Sequence, residues 1–231
     1  MTQKFYLKIP KKNETKIIFC LPGPTNGFSE NFLQGWTKLI VTCLENNIKF
    51  TISNQQSSVV YYVRNLCLGG DVLRGINQKP FDGKIDYTHM MWIDSDIVFN
   101  PEQFIKLLNY DKDVVSGIYK MAGGKQFATV EKMDEEFFKK NGTFKFWTDE
   151  DIKDKKGLIE VDYTGLGWIL IKKGVFEQLE YPWFRPLWKE FGNIKDFTSE
   201  DSALCMMLKE KGIKIYVDPE IRVGHEKTCI Y

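Results

Sequence analysis

The sequence predicts an α/β domain with a largely parallel central sheet, helices on both faces and a smaller lobe in its second half. Three observations predict it. Apolar runs of strand length alternate with segments of helical period through the first half. The third of these runs ends in paired carboxylates. The second half then breaks the alternation with about forty residues rich in glycine, charge and isolated aromatics.

Residues 16–21, KIIFCL, form a short apolar run stopped by Pro22-Gly23-Pro24, the mark of a buried strand that opens into a loop. Ser29 is placed to cap a helix that carries Phe32, Trp36, Leu39, Ile40, Cys43 and Leu44 at helical spacing. Residues 49–53 read as the second strand. Over 58–76 a helical pattern turns Val63, Leu66, Leu73 and Ile76 inward, weakened by Gly69-Gly70. Residues 90–93 are the third strand. This β-α-β-α-β order favours parallel pairing, because a parallel crossover needs a connection of helix length. Asn100-Pro101 opens the next helix and 114–117 is the next strand. Residues 118–156 are expected to make a hairpin or lobe over the sheet, since long loops are otherwise uncommon. Strands at 158–163 and 168–171 flank Gly165-Leu166-Gly167, and a short helix starts near Gly174. The aromatic segment YPWFRPLWKEFG follows, Ser199 caps a helix over 200–211, and 213–217 is the last strand. The chain reads as one domain, 1–231, with halves at about 16–117 and 118–225.

Composition narrows the function. A net charge of +1 carries no polyanion signature, so nucleic acid is not an expected partner. Cys20, Cys43, Cys67, Cys205 and Cys229 are odd in number, widely spaced and contain no CxxC, which reads as reduced core thiols rather than a disulfide or zinc framework. The polar N-terminus is unlike a signal peptide, and no apolar run reaches the ~20 residues of a membrane span. The expectation is a cytoplasmic protein without a transmembrane segment.

Asp94 and Asp96 stand one residue apart after the uncharged run 89–93, and bare carboxylates there call for a cation or strong hydrogen bonds. The same spacing recurs at Asp111/Asp113, in a loop before a strand, and at Asp149/Asp151, within the charged stretch TDEDIKDKK. Only the first pair ends an apolar strand, where open α/β sheets bind ligands. A structural turn is the other reading of that pair.

In order, the segments CLPGP (20–24), SSVVYYVRN (57–65), WIDSD (92–96), TGLGWILIKKGVF (164–176), TSEDSALC (198–205) and KIYVDPEIRVGH (214–225) resemble the GT-A fold nucleotide-sugar glycosyltransferases with a DxD motif, of the inverting family 2-like type. The resemblance implies a Rossmann-like sheet with an acceptor-side lobe, making 16–117 the nucleotide-binding half and 118–225 the acceptor-side half. It also implies sugar transfer from a nucleoside diphosphate donor, UDP-linked, to a glycan, lipid-linked or protein hydroxyl. The implied metal is Mn2+ or Mg2+, with Asp94, Asp96 and His225 as its site: Asp96 and His225 as ligands and Asp94 on the ribose or on a metal-bound water. A divalent cation neutralises a departing diphosphate as a Lewis acid.

The remaining site residues each carry two readings. His225 is a metal ligand by the resemblance or a surface histidine; His89, inside the third strand, reads as structural. Asp201 is the implied general base and Glu200 its acceptor-binding neighbour, but acids at a helix start also cap it and complement its dipole. Arg64 is placed to meet the donor's diphosphate or base, or is an ordinary helix-surface arginine. Pro22, Gly23 and Ser95 would lie along the donor, while Gly165 and Gly167 would let backbone approach its sugar; otherwise the glycines and proline are turn residues. Trp168, Trp183, Phe184 and Trp188 are stacking candidates for the acceptor or core aromatics. A retaining transferase, a sugar-1-phosphate nucleotidyltransferase and a non-catalytic carbohydrate-binding protein are the alternatives. The nucleotidyltransferase is disfavoured because LPGPTNGF (21–28) lacks a basic glycine-rich loop.

Overall fold

The computed structural model describes residues 15–23 and 27–227, so Pro24 and Cys229 lie outside the described residues. The first half runs β1 (Lys16–Gly23), α1 (Glu30–Glu45), β2 (Lys49–Gln56), α2 (Val60–Cys67), β3 (His89–Ile93), β4 (Ile97–Val98), α3 (Pro101–Asn109) and β5 (Val114–Ile118). The second runs β6 (Thr129–Val130), α4 (Glu135–Asn141), β7 (Ile159–Val161), β8 (Tyr163–Thr164), β9 (Trp168–Lys172), β10 (Trp188–Phe191), β11 (Ile194–Phe197), α5 (Glu200–Glu210), β12 (Ile215–Arg222) and β13 (Gly224–His225).

Seven strands form the central sheet in the order β2-β1-β3-β9-β5-β12-β7. Pairings β1–β2, β1–β3 and β5–β12 are parallel, whereas β9 runs antiparallel to both β3 and β5, and β7 antiparallel to β12. Five strands therefore point one way and β9 and β7 the other. The sheet is mixed, with its parallel part where the helical crossovers predict it.

Strand periodicity divides the core into two layers. Ile17, Phe19 and Leu21 of β1 pack with Met91 and Ile93 of β3 against Phe32 and Leu39 of α1 and Phe104 of α3. Ile18 and Cys20 pack with Met90 and Trp92 on the opposite face, against Cys67 of α2 and Leu204 of α5. Each large side chain so buried stabilises the fold by about 1.5–3 kcal/mol relative to exposure. Both faces are covered, which explains why β1 and β3 read as continuous apolar runs.

Helix ends follow local chemistry. The Ser29 hydroxyl accepts from Phe32 N at 3.1 Å to open α1, and Asn100 and Gln103 form a reciprocal capping box on α3 with Pro101 in its first turn. The helix expected over 58–76 ends at Cys67, because Gly69 takes φ +68° and turns the chain. Leu73, expected inward, is 91% exposed, and Leu66 and Ile76 are exposed too. Within 118–156, where a hairpin or lobe is expected, Phe127, Trp147 and Ile152 are buried in the same core layer as Ile18 and Trp92. The β10–β11 hairpin is the element that the aromatic segment conceals. Trp168, Trp183 and Phe184 are core residues, leaving Trp188 as the exposed member of that set.

Candidate active site

The carboxyl ends of β1, β3, β5 and β12, and the amino end of β9, lie at one edge of the sheet. That edge carries Pro22 and Gly23 at the end of β1, Asp94 to Asp96 after β3, Tyr119 after β5, Gly165 to Gly167 before β9, and His225 beyond β12. The Asp94 amide donates to the Gly167 carbonyl at 3.0 Å, which ties the acidic turn to the glycine segment.

Asp94 and Asp96 go to different partners. Asp94 Oδ2 accepts from Arg64 Nη2 at 3.0 Å, and Arg64 Nε reaches Glu200 Oε1 at 3.3 Å. Arg64 is therefore a buried bridge between the acidic turn and the start of α5, and not a surface arginine. Its guanidinium also lies over the Trp92 ring, 5.8 Å from the centroid. Asp94 Oδ1 and Arg64 Nη1 are buried without a protein partner, two polar atoms that a water or ligand group must satisfy. Burial pushes the Glu200 carboxyl up, Arg64 opposes the shift and Asp201 adds to it.

Asp96 Oδ2 stands 3.2 Å from His225 Nε2 and 2.6 Å from Lys227 Nζ. Burial raises the Asp96 carboxyl, but hydrogen bonds from His225 and Lys227 outweigh it and hold it at about 2. The hydrogen bond to Asp96 in turn raises the His225 pKa against its burial, with help from the Lys120 carbonyl, 2.7 Å from Nδ1. The imidazole is held in place by a two-strand clasp, in which β13 pairs antiparallel with β4 and sets His225 opposite Ile97. The Glu226 amide extends the clasp to the Asp96 carbonyl at 2.7 Å.

Among the described residues, no cluster of three or more His, Cys, Asp and Glu side chains is arranged to hold a metal ion. Of the expected set, Asp96 and His225 face one another, whereas Asp94 is turned to Arg64. A carboxylate and an imidazole still fit a divalent cation that shares its remaining positions with phosphate oxygens and water. The second ring nitrogen of His225 is engaged by a carbonyl, the usual outer partner of a metal-bound histidine.

Asp201 accepts at Oδ2 from the Tyr163 hydroxyl at 2.7 Å, and at Oδ1 from the Ser202 amide at 2.7 Å and the Ser199 hydroxyl. Ser199 occupies the N-cap position of α5 but makes no side-chain bond to the helix backbone, contrary to the expected cap. Gly165 and Gly167 have a packing reason: a Cβ on Gly165 would sit 2.1 Å from the Tyr119 hydroxyl, and one on Gly167 3.1 Å from the same ring. Pro22 and Gly23 are strand residues paired with Gln55 and Gln56, and Ser95 is buried. Tyr119, whose ring packs edge-on against His225 at 5.2 Å, is a site residue that the sequence reading missed. It follows an apolar strand as Asp94 does, and that shared position is the signal for it. Lys120, Tyr163 and Lys227 leave no comparable sign.

No protein-family model and no curated protein matches the chain. Solved structures do. A197 from STIV aligns over 94% of this chain and 96% of its own, with TM-score 0.51 and 17% identity. GalNAc-T7, solved with UDP, GalNAc and Mn2+, aligns over 91% of this chain with TM-score 0.53 and 11% identity. The chain has a GT-A-type fold. It spans 43% of the GalNAc-T7 chain, and at these identities the likeness is one of fold. The fold resembles that of nucleotide-sugar glycosyltransferases, and the acidic turn follows the carboxyl end of β3.

Proposed function

We propose that the protein is a metal-dependent glycosyltransferase that moves a sugar from a UDP-linked donor to an acceptor hydroxyl with inversion. The observation that carries this reading is the Asp96–His225 pair, 3.2 Å apart at the ligand-binding edge of a GT-A-type fold. Asp96 and His225 would hold Mn2+ or Mg2+, displacing Lys227 and the His225 proton from the carboxylate. The cation supplies charge neutralisation to the departing diphosphate. Asp94 Oδ1 would accept from a ribose hydroxyl, which satisfies the atom left unpaired in the protein.

Asp201 is the base in this reading. The acceptor oxygen forms its bond to the anomeric carbon from the face opposite the diphosphate. The bond from that carbon to the diphosphate oxygen breaks with its electron pair on the diphosphate, and the hydroxyl proton passes to the Asp201 carboxylate. Tyr163 and Ser199 orient that carboxylate, and Arg64 holds Glu200 beside it. Glu200, whose carboxyl is raised by burial, is the second reading for the base, and comparing Glu200→Gln with Asp201→Asn distinguishes the two. Free, buried Cys20, Cys43, Cys67 and Cys205 support a reducing, cytoplasmic setting.

The test is titration calorimetry of UDP with and without Mn2+ on the parent, Asp96→Ala and Asp113→Ala. Asp113 is an exposed carboxylate 4.0 Å from Lys172, away from the edge. Mn2+ is expected to strengthen UDP binding in the parent and Asp113→Ala and to lose that effect in Asp96→Ala. UDP binding indifferent to Mn2+, or to Asp96→Ala, overturns the assignment.

A further inference from the structure

A cavity of about 240 Å3 opens between α4, the β10–β11 hairpin and the start of α5. Phenyl rings make up much of its wall, beside Lys189, Asp196 and Met206. Phe138 packs 4.8 Å from Phe144 and 5.0 Å from Phe191, centroid to centroid. At the rim, Phe197 pairs edge-on with Trp188 at 5.0 Å, and the two rings are 63% and 52% exposed. The polar part of the lining includes Ser199 and Ser202, whose hydroxyls lie 2.9 Å apart.

Two contacts run from this cavity to Asp201. The Ser199 hydroxyl donates to Asp201 Oδ1, and Phe146, another wall residue, packs edge-on at 5.8 Å against Tyr163, whose hydroxyl donates to Asp201 Oδ2. The lining thus combines aromatic faces with hydroxyls, which suits a ligand that is apolar on one face and hydroxylated at its edge. Its volume lies just below the ~300–1,000 Å3 of sites for drug-sized ligands, which sets the scale at a single ring. The exposed Trp188 and Phe197 continue the aromatic surface outward.

We propose that this cavity is the acceptor subsite and that the acceptor is a carbohydrate. One pyranose ring lies with its C–H face on the phenyl walls and its hydroxyls toward Ser199 and Ser202, and the next sugar lies over Trp188 and Phe197. The proposal deepens the transferase reading and rests on it for the role of Asp201. Ser199 and Ser202 already bond to one another and Ser199 to Asp201, so a sugar hydroxyl would meet the remaining lone pairs of the two serine oxygens.

Saturation-transfer NMR with cellobiose, lactose, maltose and chitobiose, and benzyl alcohol as the apolar control, tests the proposal on the parent, Phe191→Ala and Trp188→Ala. At least one disaccharide is expected to take up saturation on its ring C–H protons, with at least a fivefold loss in both variants. Trp188 is exposed, so its variant keeps the test valid if Phe191→Ala does not fold. Absence of any disaccharide signal in the folded parent, a signal unchanged in the folded variants, or binding of benzyl alcohol alone overturns the proposal. UDP and Mn2+ calorimetry on the same parent sample separates the two readings. No UDP binding alongside a disaccharide signal refutes the transferase and leaves the carbohydrate subsite standing, whereas UDP binding without that signal refutes the subsite.

Discussion

Replacing Arg64 with methionine isolates what the buried bridge contributes, because methionine keeps much of the apolar stem and removes the charge. Arg64 is only 3% exposed, and its loss leaves Asp94 and Glu200 without their shared cation. Breaking a buried pair from one side costs about 3–5 kcal/mol. The Asp94 side chain keeps 28% of its exposure, so water screens part of that loss and the expected cost is about 3 kcal/mol. For a domain of this size that corresponds to a fall in Tm of roughly 6–12 °C. The pH dependence has a definite sign. The folded-state pKa of Glu200 lies above its ordinary value of 4.5, so its favourable contribution is full below 4.5 and is lost as pH rises through the folded value. Removing Arg64, which opposes that rise, enlarges the loss at neutral pH, and Arg64→Met should recover stability relative to the parent between pH 7 and pH 5. Urea unfolding of both proteins at the two pH values measures this through the midpoint at constant slope. A deficit under ~1 kcal/mol, or one equal at both pH values, refutes the bridge as a stabilising element.

The other predictions concern the neighbouring residues. Asp201→Asn should leave thermal stability and UDP affinity near those of the parent while turnover falls about a hundredfold or more, and proton NMR of early product on the parent should show the inverted anomer. His225→Ala should weaken Mn2+ binding by roughly 10-fold or more; in the parent, that affinity should decline as pH falls through the raised His225 pKa, as followed by calorimetry. Burial and Lys172 hold His89 at about 4 against an ordinary 6.5, so the fold should lose about 3 kcal/mol as pH drops from above 6.5 to below 4, and His89→Gln should lack that component of the unfolding profile. Gly165→Ala should cost about 1–3 kcal/mol by driving a methyl into Tyr119, whereas Gly123→Ala, with nothing within 4 Å, should be close to neutral in thermal melts.

The parts of the fold legible in the sequence are those written in local periodicity. The apolar runs of β1 and β3 and the stripe of α1 signal themselves because burial on one or both faces imposes a pattern over successive residues. The acidic turn is legible for a related reason, since charge directly after an apolar strand requires an explanation. The clasp of β4 with β13 is different: each strand has two residues, too few for a period, and their pairing depends on a contact across more than a hundred residues. The β10–β11 hairpin is concealed because Trp188 and Phe197 face outward, so its aromatics are the reverse of a core pattern. The role of Arg64 also depends on a long-range arrangement, because only folding brings Asp94 and Glu200 to its two sides. For the glycines, the turn-like composition is visible but the volume of the Tyr119 ring is not.

The clasp imposes an order of assembly on the proposed metal site. Asp96 emerges from the ribosome about 130 residues before His225 and Lys227. At about 5–20 residues per second this is a delay of roughly 6–26 s. Throughout that interval the nascent chain carries its acidic turn without the imidazole or ammonium that later faces it. A chain halted after β12 could retain the strands of the sheet and still lack half of the cation's protein ligands. Under this reading, competence for metal-supported donor binding arrives in a single late step, and a prematurely terminated copy cannot sequester the nucleotide in the metal-supported mode.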